Sequence, residues 1–549
     1  MTDVAPPTPD APEGGRSLAR STALMTAGTV ISRGTGVIRL AVVAATLGVV
    51  ETRLHDTYNL ANTAPNILYE LVLGGVITSV FVPVFVELLE KEDRERAWRS
   101  MSAILNLSLA ALAVIALLGV LFAPVIATFY ASRLEGALLD RQHEVLTFLL
   151  RLLIPQVFLY GIYFIVSGIL NANRRFVLPM WTPIVNNFVI IGVFVAFRAM
   201  YGSVSMEEAT NAQLLLIGLG TTASVAPMGL MLLPALKRLR GYRPVFTVDR
   251  VLLKKVAGLS AYVLGFVAAN QLGYLVVQWL ANGRQGGYTA YIAAYTFFIL
   301  PVGLFVWSVT TAMVPSMSRH AIAEEWDAFR SDVSLALRAI LFLILPSTVG
   351  YLLVARPLVE LMLEHGVVTA RSTDLVTTVL WFFVAGLLQF SLYQVFVRAF
   401  YALQDAKTPF FINCAVVVVT VAVNVPMYAW LGVKGLAAGQ AIAYTLGVPL
   451  QAWVLGRRAG GLDLKEITGS FFRLAGATAA MAVVVWGALQ LMGPLHDDGG
   501  LVEQAVAVTV PVAAGAAVYL AVAAALKAPE LSFVRSVVRR RRSGATSGS

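Results

Sequence analysis

The chain has little charge and almost no cysteine. Asp, Glu, Lys and Arg make up 13% of its 549 residues, and Cys414 is the single cysteine. One cysteine excludes an intrachain disulfide and gives no support to a thiolate metal site. In its apolar run, Cys414 reads as a small core residue. No GxxxxGK[ST] pattern occurs, which speaks against direct ATP hydrolysis. The acids Glu51, Asp56 and Glu360 form no carboxylate cluster, and the connecting loops on their side are short. Glycosyl transfer is therefore disfavoured. The first 20 residues carry no small-residue cleavage site and precede a segment too long for a signal-peptide core. They read as a cytoplasmic tail.

The sequence abounds instead in apolar runs. Hydrophobic residues make up 58% and mean hydropathy is +0.76. A soluble protein of this size could not bury so much apolar surface. The runs extend over about 20–30 residues, which suits membrane helices and excludes barrel strands of about ten. The fold class is an all-α polytopic membrane protein with about fourteen transmembrane helices. The expected spans are 22–49, 57–89, 100–130, 146–171, 180–201, 212–236, 250–281, 289–317, 333–355, 374–403, 409–431, 436–456, 469–492 and 502–526. The stretch 100–130 has room for a re-entrant turn.

A net charge of +10 raises the question of nucleic acid, and the placement of the charges answers it. Basic residues cluster in alternate loops, as in 91–99, 174–175, 237–255 and the terminal run Arg539, Arg540, Arg541, Arg542. The intervening loops hold scattered charges such as Arg53, Arg133, Arg284 and Lys434. The positive-inside rule then puts both termini in the cytoplasm of a cell with a multi-pass inner membrane protein, and requires an even number of spans. The terminal arginines read as a topology anchor, with anionic lipid heads as a further contact.

An internal repeat is present. Phe81-Val82-Pro83 followed by residues 95–100 resembles Met313-Val314-Pro315 followed by 326–331, at an offset of about 232. Residues 172–179 resemble 402–409 at an offset of 230. Six spans separate the copies, so both run in the same direction, about an axis along the membrane normal. The expected layout is a disordered tail over 1–21, a six-helix lobe over 22–245 and a pseudo-two-fold-related second lobe over 246–460. Two C-terminal helices over 461–530 and a basic cytoplasmic tail over 531–549 complete it.

Two arginines lie inside the first span. Arg33 is about 16 Å into the helix if that helix starts near Thr22, close to mid-bilayer. A charge at that depth costs about 2.5–3.5 kcal/mol on insertion scales. Such a residue faces a watery or protein-lined cavity, or else snorkels to the headgroups. The repeat offset maps Arg33 onto Leu264 and Arg39 onto Asn270, so the charges are not part of the repeated scaffold. The second span carries Asp56, Asn59, Asn62, Asn66 and Glu70. Glu70 lies at the depth of Arg33, and an intramembrane ion pair between them is expected, serving either a site or simple helix locking.

The stretch Ile31-Ser32-Arg33-Gly34-Thr35-Gly36-Val37-Ile38-Arg39 resembles the first-helix signature of the MurJ/MviN family of lipid II flippases. So do Asn62-Thr63-Ala64-Pro65-Asn66-Ile67-Leu68-Tyr69-Glu70-Leu71, with Gly74-Gly75 after it, and Leu170-Asn171-Ala172-Asn173-Arg174-Arg175-Phe176 with Pro183 and Asn186-Asn187. A later match runs from Arg398 through Ala402-Leu403-Gln404-Asp405 to Pro409. The resemblance spans most of residues 20–460. It implies fourteen spans, two lobes, a central cationic cavity and membership of the multidrug/oligosaccharidyl-lipid/polysaccharide exporter superfamily. The implied substrate is the undecaprenyl-diphosphate-linked peptidoglycan precursor. By this resemblance Arg33 and Arg39 are the two cavity arginines of the first helix, and Asp56 is an acidic position at the start of the second. Two further family cations fall on Tyr69 and Thr296, and no acid in the seventh span matches the family's sodium-site carboxylate.

The leading reading is a flippase working by alternating access, with no enzymatic step. Arg33 and Arg39 would hold the diphosphate, because the planar guanidinium donates bidentately to phosphate oxygens. Asp56, Asn62, Asn66, Glu70 and Gln271 complete the candidate substrate site. No cofactor or metal is called for, and membrane potential or an ion gradient is the expected driving force. The expected partners are a lipid-linked anionic substrate, membrane lipids and cell-wall synthesis proteins, not nucleic acid. The alternatives are export of another lipid-linked oligosaccharide, or a non-transporting scaffold for cell-wall synthesis.

Overall fold

A computed structural model describes residues 13–71, 94–172, 175, 177–237, 242–246, 250–497 and 500–531. Every regular element among the described residues is helical, with no strand. The helices are α1 (Glu13–Leu47), α2 (Leu54–Tyr69), α3 (Arg94–Leu121), α4 (Ala123–Ala131), α5 (Gly136–Leu153), α6 (Gln156–Ala172), α7 (Val177–Tyr201), α8 (Asn211–Leu230) and α9 (Leu233–Lys237). They continue with α10 (Arg250–Ala281), α11 (Gly287–Pro301), a π-helical turn (Val302–Val306), α12 (Trp307–Ile322), α13 (Trp326–Leu363), α14 (Ala370–Ala385) and α15 (Leu387–Ala402). The last are α16 (Lys407–Leu431), α17 (Val433–Ala459), α18 (Leu464–Asp497) and α19 (Leu501–Ala525).

Every expected span falls mainly on helix where it is described, with short breaks at 122, 154–155, 231–232 and 386. Among the described residues, ten segments are long and apolar enough to cross a bilayer, or eleven if α14 and α15, bent by 47°, form one span. Three expected spans fall outside that count. α1 contains Arg33 and Arg39, α2 is described over only 16 residues, and α17 is interrupted by glycines, Gln440 and Gln451. The surface confirms a bilayer rather than water as solvent: Trp430, Phe472 and Leu491 are 77%, 73% and 77% exposed.

One expectation needs correcting. Helix α1 starts at Glu13, inside the stretch 1–21 read as a disordered tail. Leu18, Ala19 and Arg20 have high intrinsic helix propensity. Gly74, Gly75 and Pro83, and the tails over 1–12 and 532–549, lie outside the described residues.

The packing of the first half recurs in the second. Contacts of α1 with α7, α7 with α8, α6 with α8, α2 with α5 and α3 with α6 define the first half. The corresponding pairs in the second are α10 with α16, α16 with α17, α15 with α17, α11 with α14 and α13 with α15. Helices α18 and α19 pack on each other and on α13 around Leu341, Phe342, Leu474, Met481 and Tyr519.

Candidate functional site: a cationic cavity closed at one end

A cavity of about 690 Å³ lies between α1, α6, α7 and α11. Among the described residues its wall contains Arg33 and Arg39 but no Asp or Glu, and the rest of the polar lining is neutral, including Ser32, Ser167, Asn171, Asn186, Asn187 and Thr296. Two cations on one cavity wall give it a positive potential that attracts anions. Both arginines face it because α1 presents Ser32, Arg33, Gly36 and Arg39 on neighbouring stretches of one face, at helical spacing.

The arginines are held from different sides. The Arg33 Cζ lies 5.2 Å from the centroid of the Trp307 ring, a cation–π contact made just after the π-helical turn Val302–Val306. That contact orients the cation without neutralising it. Arg39 Nη1 donates to Asn186 Oδ1 on α7 at 3.5 Å. Asn187 Nδ2, next along α7, donates to the Ser32 carbonyl at 3.2 Å and to Thr35 Oγ1 at 2.9 Å.

Beyond Arg39, at the end of the bundle that carries residues 48–53, the two halves of the chain are joined by buried polar contacts. Asp56 is fully buried. It accepts hydrogen bonds from the Gly286 N–H (2.6 Å), the Thr289 N–H (2.8 Å) and Thr289 Oγ1 (2.7 Å). Helix α11 has Gly286 at its N-cap, at φ 75°, and so has no capping side chain of its own. Asp56 supplies the cap from the other half of the chain, and its charge suits the helix N-terminus. Glu51 does the same for α14, accepting from the Thr369 N–H (2.9 Å), Thr369 Oγ1 and Ser372 Oγ (both 2.7 Å). Burial pushes the Glu51 carboxyl up, but the bonds from Thr369, Ser372 and the Val49 N–H outweigh it and hold the pKa below the ordinary value. Arg53 Nη1 donates to the Asn282 carbonyl at 2.8 Å, and Gln142 and Asn282 pair through both amide groups at 3.0 Å. The cavity is thus sealed at this end.

These contacts correct several expectations. Asp56 is a cap within the seal and does not face the cavity. The expected Arg33–Glu70 ion pair does not form: Glu70 accepts a hydrogen bond from Gln271 on α10, while Arg33 points toward Trp307. Matching depth did not imply matching direction, since α1 turns its arginines to α7 and the α11–α12 segment. Gln271 is therefore occupied by Glu70. Asn62 and Asn66 are not among the residues lining this cavity, and Asn66 Nδ2 bonds the Asn62 carbonyl within α2 at 3.0 Å. Tyr69, at a position where a family cation is expected, packs on Tyr160 and Phe164 with ring centroids 5.2 and 5.0 Å away. Thr296 does line the cavity. The sequence reading missed Trp307 and the roles of Asn186 and Asn187. Two adjacent amides inside an apolar span were the available signal.

The family model for the lipid II flippase MurJ matches residues 43–505 of this chain. A probable lipid II flippase MurJ of Rhizobium meliloti (strain 1021) is 26% identical over 532 residues, covering 95% of this chain and 97% of that protein. A solved structure of a lipid II flippase MurJ in an inward closed conformation superposes with a TM-score of 0.73 at 21% identity, over 94% of this chain and all of that one. An inward-facing multidrug-resistance MATE transporter of the MOP superfamily gives a TM-score of 0.63 at 14% identity, over 81% of this chain and 98% of that one. These two likenesses bear on the fold, and the family match covers most of the sequence. The chain belongs to the lipid II flippase MurJ family.

Proposed function

We propose that this protein moves lipid II, the undecaprenyl-diphosphate-linked peptidoglycan precursor, from the inner to the outer leaflet of the cell membrane. The observation that carries this is the cavity: two arginines on its wall and, among the described residues, no carboxylate. A diphosphate satisfies both guanidinium groups, and no other charged residue among the described lining competes for them. The polyprenyl chain stays in lipid while the headgroup crosses.

In this reading the chain makes fourteen spans with both termini cytoplasmic, in two lobes over 22–245 and 246–460 and two added helices. The end sealed by Glu51 and Asp56 faces outward, so the cavity communicates with the cytoplasmic side. Rocking of the lobes about the seal delivers the headgroup across. No covalent bond changes, and the driving force is membrane potential or an ion gradient. Cell-wall synthesis proteins are the expected partners on the delivery side. The aromatic packing of Tyr69 leaves the diphosphate to Arg33 and Arg39, which makes these two more decisive here.

The test is growth of a strain depleted of its own lipid II flippase and complemented with this chain, beside a flipping assay on the reconstituted protein. Complementation with flipping supports the reading. Correct membrane insertion with neither would favour the scaffold.

A further inference from the structure

We infer that Asn186 and Asn187 are positioning residues that set the two cavity arginines for a diphosphate, by means of amides that leave the cationic charge intact. The inference rests on the transport reading above for its ligand, but its geometry is independent of it.

The orientation of the Asn186 amide follows from counting protons. Ser224 Oγ donates its single proton to the Thr221 carbonyl at 2.6 Å. Its oxygen therefore accepts from Asn186 Nδ2, 2.7 Å away. The amide is thereby fixed with Oδ1 toward Arg39 Nη1. The anchor is rigid: Ser224 and Thr221 are fully buried on α8, and Thr221 Oγ1 is 3.0 Å from the Tyr58 hydroxyl on α2. Asn187 is fixed in the same way. Thr35 Oγ1 donates to the Ile31 carbonyl at 2.9 Å, so it accepts from Asn187 Nδ2. Asn187 also bonds the Ser32 carbonyl. It thus grips the turn of α1 from which Arg33 projects.

The choice of amide over acid matters. A carboxylate at position 186 would hold Arg39 more strongly but would cancel its charge and compete with an anionic ligand. An amide oxygen orients the guanidinium and leaves it cationic. Two adjacent amides in a bilayer-spanning helix are costly unless bonded, and here their donors go to α1 and α8.

The experiment uses full-length protein in lipid nanodiscs, with undecaprenyl diphosphate as the binding probe. It compares Asn186→Ala, Asn186→Asp and Asn187→Ala. A second readout is the rate at which phenylglyoxal modifies Arg39, followed by mass spectrometry without any ligand. Asn186→Ala is expected to weaken binding about tenfold, with an unchanged melting temperature and faster Arg39 modification. Asn186→Asp is expected to abolish binding and slow the modification while the protein stays at least as stable. Asn187→Ala is expected to weaken binding with no change at Arg39. Wild-type binding and labelling in both Asn186 variants would overturn the inference. A wild-type protein that ignores the probe would overturn the transport reading, and Arg39 labelling would then decide the positioning role alone. Should Asn186→Ala fail to fold, normal binding by Asn186→Asp would still overturn the inference.

Discussion

Asn59 Nδ2 donates to Thr289 Oγ1 at 3.2 Å across 230 residues of sequence, within two residues of the offset of the internal repeat. Asp56 and Gly286, joined at 2.6 Å, are also 230 apart. Residues equivalent by a two-fold rotation touch each other only near the axis. The two contacts thus support a pseudo-two-fold axis running through the start of α2 and the start of α11, inside the seal. In the alternating-access reading proposed above, the seal is the pivot between the two halves.

The first prediction concerns that pivot. Asp56→Ala leaves three donors at the start of α11 without their acceptor, two of them backbone N–H groups. The expected cost is about 3 kcal/mol or more, with Asp56→Asn costing less because one amide oxygen remains. Thermal melts in detergent measure this. Equal melting temperatures for wild type and Asp56→Ala would remove Asp56 from the seal.

Glu51 gives a pH dependence. Its pKa is held down in the sealed state by the hydrogen bonds from Thr369, Ser372 and Val49. A depressed carboxylate pKa contributes stability that is fully present above the ordinary value near 4.5 and lost as pH falls through the lowered one. The melting-temperature gap between wild type and Glu51→Gln should be constant above about pH 6 and shrink below about pH 4.5. A gap that widened with acid would contradict the bonding described.

Glu70 separates two accounts of the helix interior. With Gln271 as its partner, Glu70→Gln keeps an amide acceptor in place and should cost under about 1 kcal/mol, whereas Gln271→Leu strands the carboxyl and should cost about 1–3 kcal/mol. An ion pair with Arg33 would reverse that order. Melting curves of the two variants decide it.

Topology follows from the loop charges. Reporter fusions at either terminus should read as cytoplasmic. An external signal at either end would break the placement of the seal on the outer face.

Much of this was legible in the sequence because membrane helices obey a simple length and polarity rule, and because Arg33 and Arg39 violate it. The 230-residue offset was likewise readable from short matches such as 172–179 against 402–409. Contact direction was not. Depth along a helix can be counted from the sequence, but the azimuth of a side chain depends on which neighbours the helix meets, so Arg33 went to Trp307 and Glu70 to Gln271. The trans caps at Asp56 and Glu51 were also hidden, since a helix start with Gly286 or Thr369 does not say which distant carboxylate will serve it. Asn186 and Asn187 were visible as a motif, but their task depended on Ser224 and Thr35 lying opposite them.

The most direct measurement is lipid II flipping by reconstituted wild type, Arg33→Ala, Arg39→Ala and the two Arg→Lys variants, at matched protein levels in the vesicles. Wild type should flip, each alanine variant should lose flipping, and each lysine variant should recover it in part, since a point charge lacks the bidentate fork. Well-folded Arg33→Ala and Arg39→Ala proteins that flip lipid II at the wild-type rate would contradict the account.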